Sequence, residues 1–386
     1  MIVPAKRQIC HSSWHLRLRH PLNSLATLPT AIAGFYSPLL PKLNPIRLRY
    51  GNPNKPQSSY FFKRKMLIRI DKDWGFPDVK QQSPASTCKW GDFEFTFEPV
   101  KECDLLISLN PPNKEIKVKC PPGNKWLFTL ESPIDQYKWH IDSFEYFDKV
   151  FTYWDDSVAG NILHEQTALP WHIGRSYDQL MALTREPGLL IKKDAVSWVT
   201  SNATHKEGHK LRMGFKDYLI EQGFSFDLFG RGFNPIDDKF DGIYPYKYSL
   251  AIENYPCNDY WTEKIADCFL SWTVPIYWGC KNILSYFPEK SIILIDPSDP
   301  QAALKTIRHA IDSGYYHQNL DALAEARDLV LNKYQLFPHV SGLIKKYGIQ
   351  EGGNKKRSYI PKNKAHGETR TLASLSSKLW RIFKAT

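Results

Sequence analysis

Between Tyr246 and Gly279 the chain reads YKYSLAIENYPCNDYWTEKIADCFLSWTVPIYWG, a polar cluster held between two apolar runs. Thr262 stands where an N-cap belongs, ahead of a segment that puts Ile265, Phe269 and Trp272 on one helical face. The spacing predicts a strand at 248–252, a loop at 253–260, a helix at 263–271 and a second strand at 274–278. Such a βαβ unit requires a parallel sheet, so the chain is expected to be an α/β protein. Open sheets of this kind bind ligands beyond the carboxyl ends of their strands, where the 253–260 loop falls. Glu253, Asn254, Tyr260, Glu263 and Lys264 are expected on this rim, and the unpaired N–H groups of the helix start suit an anion such as phosphate. Any one of the five reads equally well as a helix cap or an ion pair. As a set they point to a ligand.

Short apolar runs at 66–70, 93–97, 105–109, 126–130 and 150–153 predict a first α/β domain over 66–190. A second, over 191–348, is predicted from strands at 196–200, 225–229 and 291–295 and a helix over 206–222 stopped by Gly223. Helical segments follow from 298, through 320–334, to 346. Beyond Gly348 the composition turns to Gly, Lys, Asn and Ser, which predicts a linker, 349–386, ending in LASLSSKLWRIF. There Leu372, Leu375, Leu379, Ile382 and Phe383 share a helical face beside Lys378, Arg381 and Lys384. This predicts a helix lying on an anionic membrane surface; the alternatives are packing against the body or no fixed structure.

The net charge of +11 raises the question of nucleic acid, and its distribution answers it. Residues 1–65 hold 11 Lys+Arg and no acid, residues 66–351 hold 31 against 39, and residues 352–386 hold 9 against 1. The body is acidic, so no nucleic-acid partner is expected. The basic 1–65 extension is expected to be an over-long translated start, with Met66 opening the first strand. A targeting peptide and a basic arm are the rival readings. No run reaches the length of a membrane span, because 25–43 is broken by Pro29, Pro38 and Pro41.

Seven cysteines, at 10, 88, 103, 120, 257, 268 and 280, form no CxxC pair, so a zinc site is not expected. An odd count in a chain of this size favours free thiols and a reducing, cytoplasmic compartment. Asp71-Lys72-Asp73 has the spacing of a metal-binding pair at a strand end, but short acidic spacings arise often by chance, and it is not assigned as a metal site.

Four segments in order, Tyr246-Lys247-Tyr248, Ile252-Glu253-Asn254, Asp259 to Lys264 (DYWTEK) and Val274 to Gly279 (VPIYWG), resemble the signature of the α1,3-fucosyltransferases of glycosyltransferase family 10. Upstream, Ser201-Asn202 followed by Leu211-Arg212 resembles the family's diphosphate-gripping segment, and 125–133 (KWLFTLESP) its acceptor-side strand. The likeness covers about 66–348 and is strongest after Asp194. Trp261, Tyr255 and Cys280-Lys281 depart from the family pattern, which could narrow the site or alter the donor.

The resemblance implies a GT-B-like fold, two Rossmann-like domains facing across a cleft, the first for the acceptor and the second for GDP-fucose. It implies inverting transfer of L-fucose to a hydroxyl of a GlcNAc- or Glc-containing glycan, with α1,3 linkage, no metal and no cofactor beyond the GDP-fucose co-substrate. Glu131 takes the family's general-base role, which a partly desolvated carboxylate suits; by local pattern alone it is a surface loop glutamate. Arg212 and Lys264 would neutralise the departing GDP, with Asn254, Tyr260, Glu253 and, more weakly, Arg231 binding the donor. Glu263 would accept sugar hydroxyls and stabilise positive charge at the anomeric carbon. Rival functions are transfer from another GDP-sugar, separable by a donor panel, and glycan binding without catalysis.

Overall fold

A computed structural model describes residues 65–154, 160–167, 169–183 and 192–363. The basic extension, Cys10 and the 372–383 face lie outside the described residues. Two parallel sheets, each with its own buried core, form the body.

The first half begins with β1 (Met66–Asp71), β2 (Lys89–Trp90), β3 (Phe93–Thr96) and β4 (Leu105–Leu109). After β5 (Ile116–Cys120) come β6 (Lys125–Phe128), β7 (Lys149–Thr152) and β8 (Ile162–His164). The sheet order is β2-β3-β1-β4-β6-β7-β8, and all pairings but β2 with β3 are parallel. β4 is buried at every position, as a central strand covered on both faces must be. The predicted strands at 66–70, 93–97, 105–109, 126–130 and 150–153 are all present. β2, β5 and β8 are additional, and too short or too alternating with lysine to stand out as apolar runs.

The second half holds β9 (Lys193–Val199), β10 (Asp227–Phe229), β11 (Tyr246–Ile252), β12 (Val274–Trp278) and β13 (Ile293–Leu294) in the all-parallel order β10-β9-β11-β12-β13. The Glu207–Glu221 helix joins β9 to β10, and the Glu263–Leu270 helix joins β11 to β12. Six of the eight residues of the latter are buried, so it is a core helix between two buried strands. Two parallel sheets facing across a cleft make the expected GT-B arrangement.

The domain limits drawn from the sequence need three corrections. Residues 169–183, assigned to the first domain, put Leu169, Trp171, Ile173 and Leu180 into the core of the second. The Leu336–Tyr347 helix, assigned to the second, buries Leu336, Phe337, Val340, Leu343 and Ile344 against β1, β3, β4 and β6 of the first. Residues 356–360, assigned to a linker, form β14 (Lys356–Ile360), antiparallel to β5. The chain therefore crosses between halves once more than a simple tandem would. The crossings touch: Leu169 bridges Gln335, Leu336 N donates to Leu169 O at 3.1 Å, and His339 Nε2 lies 2.6 Å from Gln166 O. Local periodicity locates elements but not the sheet they join.

Candidate active site

The cleft between the halves has a volume of about 590 Å³. Glu131, Tyr137 and Tyr153 line it from the first half, and Asn254, Tyr260, Glu263 and Lys264 from the second. Five of the sequence-predicted residues thus meet in one space, although Glu131 and Glu263 are separated by more than a hundred positions.

On the second half the predicted rim is present. Thr262 caps its helix by accepting from Lys264 N at 3.4 Å. Glu253, at the end of β11, has no exposed surface: it accepts from Thr262 N at 2.8 Å, Thr262 Oγ1 at 2.8 Å and Lys264 Nζ at 3.0 Å. The expectation that Glu253 reaches the donor is corrected by this geometry. Its carboxylate lies behind the cleft wall with both oxygens engaged, and it fixes the helix start and the lysine head. Gly279 is part of that device. A Cβ there would stand 2.4 Å from Glu253 Cγ, so the turn after β12 must lack a side chain.

Glu263 has 18% of its side chain exposed and lies 3.2 Å from Lys239 Nζ, 3.7 Å from Lys264 Nζ and 3.8 Å from His172 Nδ1. Burial alone would raise its pKa, but Lys264, Lys239 and His172 together hold it well below the usual range. It is a permanent anion at neutral pH, suited to a hydroxyl or to developing positive charge. Burial pushes the His172 imidazole down to about 4, so this neighbour is neutral. Tyr260 is buried edge-on to Tyr153, ring centroids 5.0 Å apart, and so joins the halves at the cleft floor. Asn254 Oδ1 is buried without a partner and can accept a ligand hydroxyl.

Arg212 lies on the inner face of the Glu207–Glu221 helix, 5% exposed, and its Nε has no partner. With Lys239, Lys264 and Asp267 it borders a cavity of about 20 Å³ adjoining the cleft wall at Lys264. Burial lowers its pKa, opposed by Glu253 and Glu263, yet a guanidinium stays charged. A buried cation with an unused donor is costly unless an anion completes it. Close approach at Gly208, where a Cβ would come 1.9 Å from Asn254 O, sets the start of this helix against the end of β11. Arg231 is exposed and lines neither space.

On the first half Glu131 follows β6 by three residues, and the intervening turn is pinned by Leu130 N donating to Asn110 Oδ1 at 2.7 Å. Sequence reasoning missed Tyr137, Lys206, His172 and Lys239. Tyr137, His172 and Lys239 are polar residues on short or irregular segments with no periodic signal, and Lys206 stands at the start of a predicted helix with nothing local to mark its side chain. Among the described residues no set of His, Cys, Asp and Glu could hold a metal. Asp71 pairs with Arg69 at 3.5 Å, and Asp73 receives Asn113 Nδ2 at 3.3 Å.

Residues 189–314 match the family model for the C-terminal domain of glycosyltransferase family 10 (fucosyltransferase). The chain is 35% identical over 99 residues to an alpha-(1,3)-fucosyltransferase of Helicobacter pylori, covering 24% of this chain and 19% of that protein. It is 27% identical over 201 residues to a 3-galactosyl-N-acetylglucosaminide 4-alpha-L-fucosyltransferase of Bos taurus, covering 50% of this chain and 51% of that protein. A shorter match, 37% over 68 residues, joins it to a GDP-fucose protein O-fucosyltransferase 3 of Danio rerio, covering 17% of this chain and 15% of that protein. The matches thus span about half the length of these relatives or less. A solved α1,3-fucosyltransferase with GDP-fucose superposes with a TM-score of 0.44 at 20% identity, over 75% of this chain and 92% of that one. The segment that carries Arg212, Glu263 and Lys264 is thus the one that is similar to the C-terminal domain of glycosyltransferase family 10.

Proposed function

We propose that the chain transfers L-fucose from GDP-fucose, with inversion and without a metal, to a hydroxyl of a GlcNAc- or Glc-containing glycan, by α1,3 linkage. The observation that carries this reading is the opposition across one cleft of Glu131 and the Arg212, Glu263 and Lys264 cluster. The diphosphate takes Arg212, Lys264 and the N–H groups at the Glu263–Leu270 helix start as charge-assisted donors. Asn254 and Tyr260 contact the ribose or fucose. Glu131 removes the acceptor proton as the acceptor oxygen attacks the anomeric carbon and GDP departs from the opposite face. Glu263 stabilises the positive charge that builds on the sugar. No step asks for a metal, because protein cations meet the leaving group; EDTA should leave the rate unchanged.

Two kinds of relative, those named for galactosyl-N-acetylglucosaminide acceptors and those named for proteins, define the acceptor panel. The test is GDP release and fucosylated product from purified enzyme, GDP-fucose and a panel of glycans and Ser/Thr peptides. Acceptor-dependent product on a glycan supports the reading, and product on peptides alone corrects its acceptor. Turnover with GDP-mannose but not GDP-fucose corrects its donor, and saccharide binding without GDP release sinks the catalytic reading. Among the described residues no helix is long and apolar enough to cross a membrane. For the 372–383 segment we retain the proposal of peripheral attachment, tested by sedimentation with anionic vesicles at low and high salt.

A further inference from the structure

We infer that Lys206, although it stands on the donor half, is a positioning residue for the acceptor side: by holding Tyr137 it fixes the stretch of chain that leads from Glu131 along the first half's wall of the cleft. The inference rests on the reading of Glu131 as the base. Lys206 is the N-cap of the helix that carries Arg212, and its side chain makes no capping bond. Its carbonyl accepts from His209 N and Lys210 N, both at 3.0 Å, so the backbone is held while the side chain is left to reach outward. Nζ donates to Tyr137 Oη at 2.9 Å and stands 4.6 Å from the centroid of that ring. A charged donor makes this one of the stronger kinds of hydrogen bond.

Tyr137 belongs to a 3-10 segment of 12 residues, Asp135–Tyr146. Runs of that length are uncommon, because 3-10 hydrogen bonds have poorer geometry than those of an α-helix, so the segment needs support from outside itself. Backbone bonds tie its start toward Glu131: Tyr137 N donates to Ile134 O and Ile134 N to Ser132 O, both at 2.8 Å. Farther along, Asn363 Nδ2 donates to Trp139 O at 3.1 Å and to Ser143 Oγ at 2.7 Å. These ties come from the first half. The bond from Lys206 comes from the other side of the cleft and lands at Tyr137, between them in sequence.

Glu131, Tyr137, Trp139 and His140 line the cleft, and Lys206 does not. Any effect of Lys206 on an acceptor must therefore pass through Tyr137. In the proposed displacement the donor half sets the anomeric carbon and the first half sets the base, and misplacing one against the other by about 1 Å can cost about a hundredfold in rate. A tie between the halves, a few residues past the base, governs that distance. GDP has its own partners in Arg212 and Lys264, so the tie is not needed to hold the donor. The acceptor side and the donor side should then respond differently to its loss.

The experiment is steady-state kinetics of the full chain with GDP-fucose and the acceptor of the panel that the parent fucosylates, with GDP affinity by calorimetry and Tm alongside. For Lys206→Met and Tyr137→Phe, kcat/KM for the acceptor should fall about tenfold, the scale of one lost hydrogen bond to a charge, while GDP affinity stays within about twofold of the parent. The double variant should lose no more than Tyr137→Phe alone, since Lys206 acts through that hydroxyl. Lys206→Ala takes the place of Lys206→Met if the latter does not fold. Three results each overturn the inference: an acceptor kcat/KM within about twofold of the parent in the Lys206 variant, losses that multiply in the double variant, or a matching fall in GDP affinity and Tm, which would make the contact a tether of the fold. Unchanged transfer by Glu131→Gln removes the base and overturns the inference with it. A parent with no transfer on any acceptor overturns the functional reading and the inference that stands on it.

Discussion

The two halves of the molecule share an architecture and differ in how they hold their working residues. In the second, Glu253, Thr262, Glu263, Lys264 and Gly279 lie within one βαβ unit, each fixed by another at contact distance. In the first, Glu131 stands on a loop, and its neighbours come from a 3-10 segment (Asp135–Tyr146) and from the other half. A diphosphate is the same in every turnover and can be met by a fixed set of charges close in sequence. A hydroxyl on a variable acceptor needs one base and a shaped wall, which can come from scattered residues.

Four changes would break or sharpen that contrast. Phe337 comes late in the chain yet is buried edge-on to Phe95 of β3, ring centroids 5.1 Å apart. Phe337→Ala should cost about 3–5 kcal/mol by denaturant unfolding, with the loss in the half that contains β1. A cost below about 1 kcal/mol would mean that the Leu336–Tyr347 helix is not part of that core. Glu131→Gln should lower turnover at least about 10²-fold and leave GDP affinity intact, because the base acts on the acceptor side alone. Near-normal turnover would remove Glu131 from the mechanism. Arg212→Ala should weaken GDP itself, by about 10- to 100-fold, the scale of a lost charge-assisted hydrogen bond. Unchanged affinity by calorimetry would take Arg212 out of the donor site.

The smallest effect concerns pH. Burial pushes His339 down to about 4 from an ordinary 6.5. The unfolded chain therefore takes up a proton that the folded one refuses, and stability falls as pH drops from 6.5 toward 4. Asp267, raised by burial to about 6, acts in the opposite sense, so the diagnostic is a difference between variants. The Tm gap between the parent and His339→Gln should narrow across that window. A constant gap would show that His339 does not titrate differently on folding.

Much of this was legible in the sequence. Local pattern gave the five main strands of the first half, because covered parallel strands must be continuous apolar runs. It placed the N-cap at Thr262, where polar positions give way to an apolar helix face, and the strand at 274–278, a continuous apolar run. Nothing local told that residues 169–183 and 336–347 exchange halves, since burial on one sheet looks like burial on the other. Glu253 shows the same limit within the site: a polar residue at a strand end reads as a ligand contact until its distance to Thr262 is known. Lys206 and Tyr137 gain meaning only from each other, across 69 positions of chain.

The paired crossings bear on motion. Because the 166–169 and 335–339 segments are bonded side by side, the halves are joined along one seam instead of at two distant points. A seam of that kind permits rocking about its own line and resists sliding. Any such rocking must carry or break the two contacts that span the cleft, the half-buried one of Lys206 with Tyr137 and the buried one of Tyr153 with Tyr260.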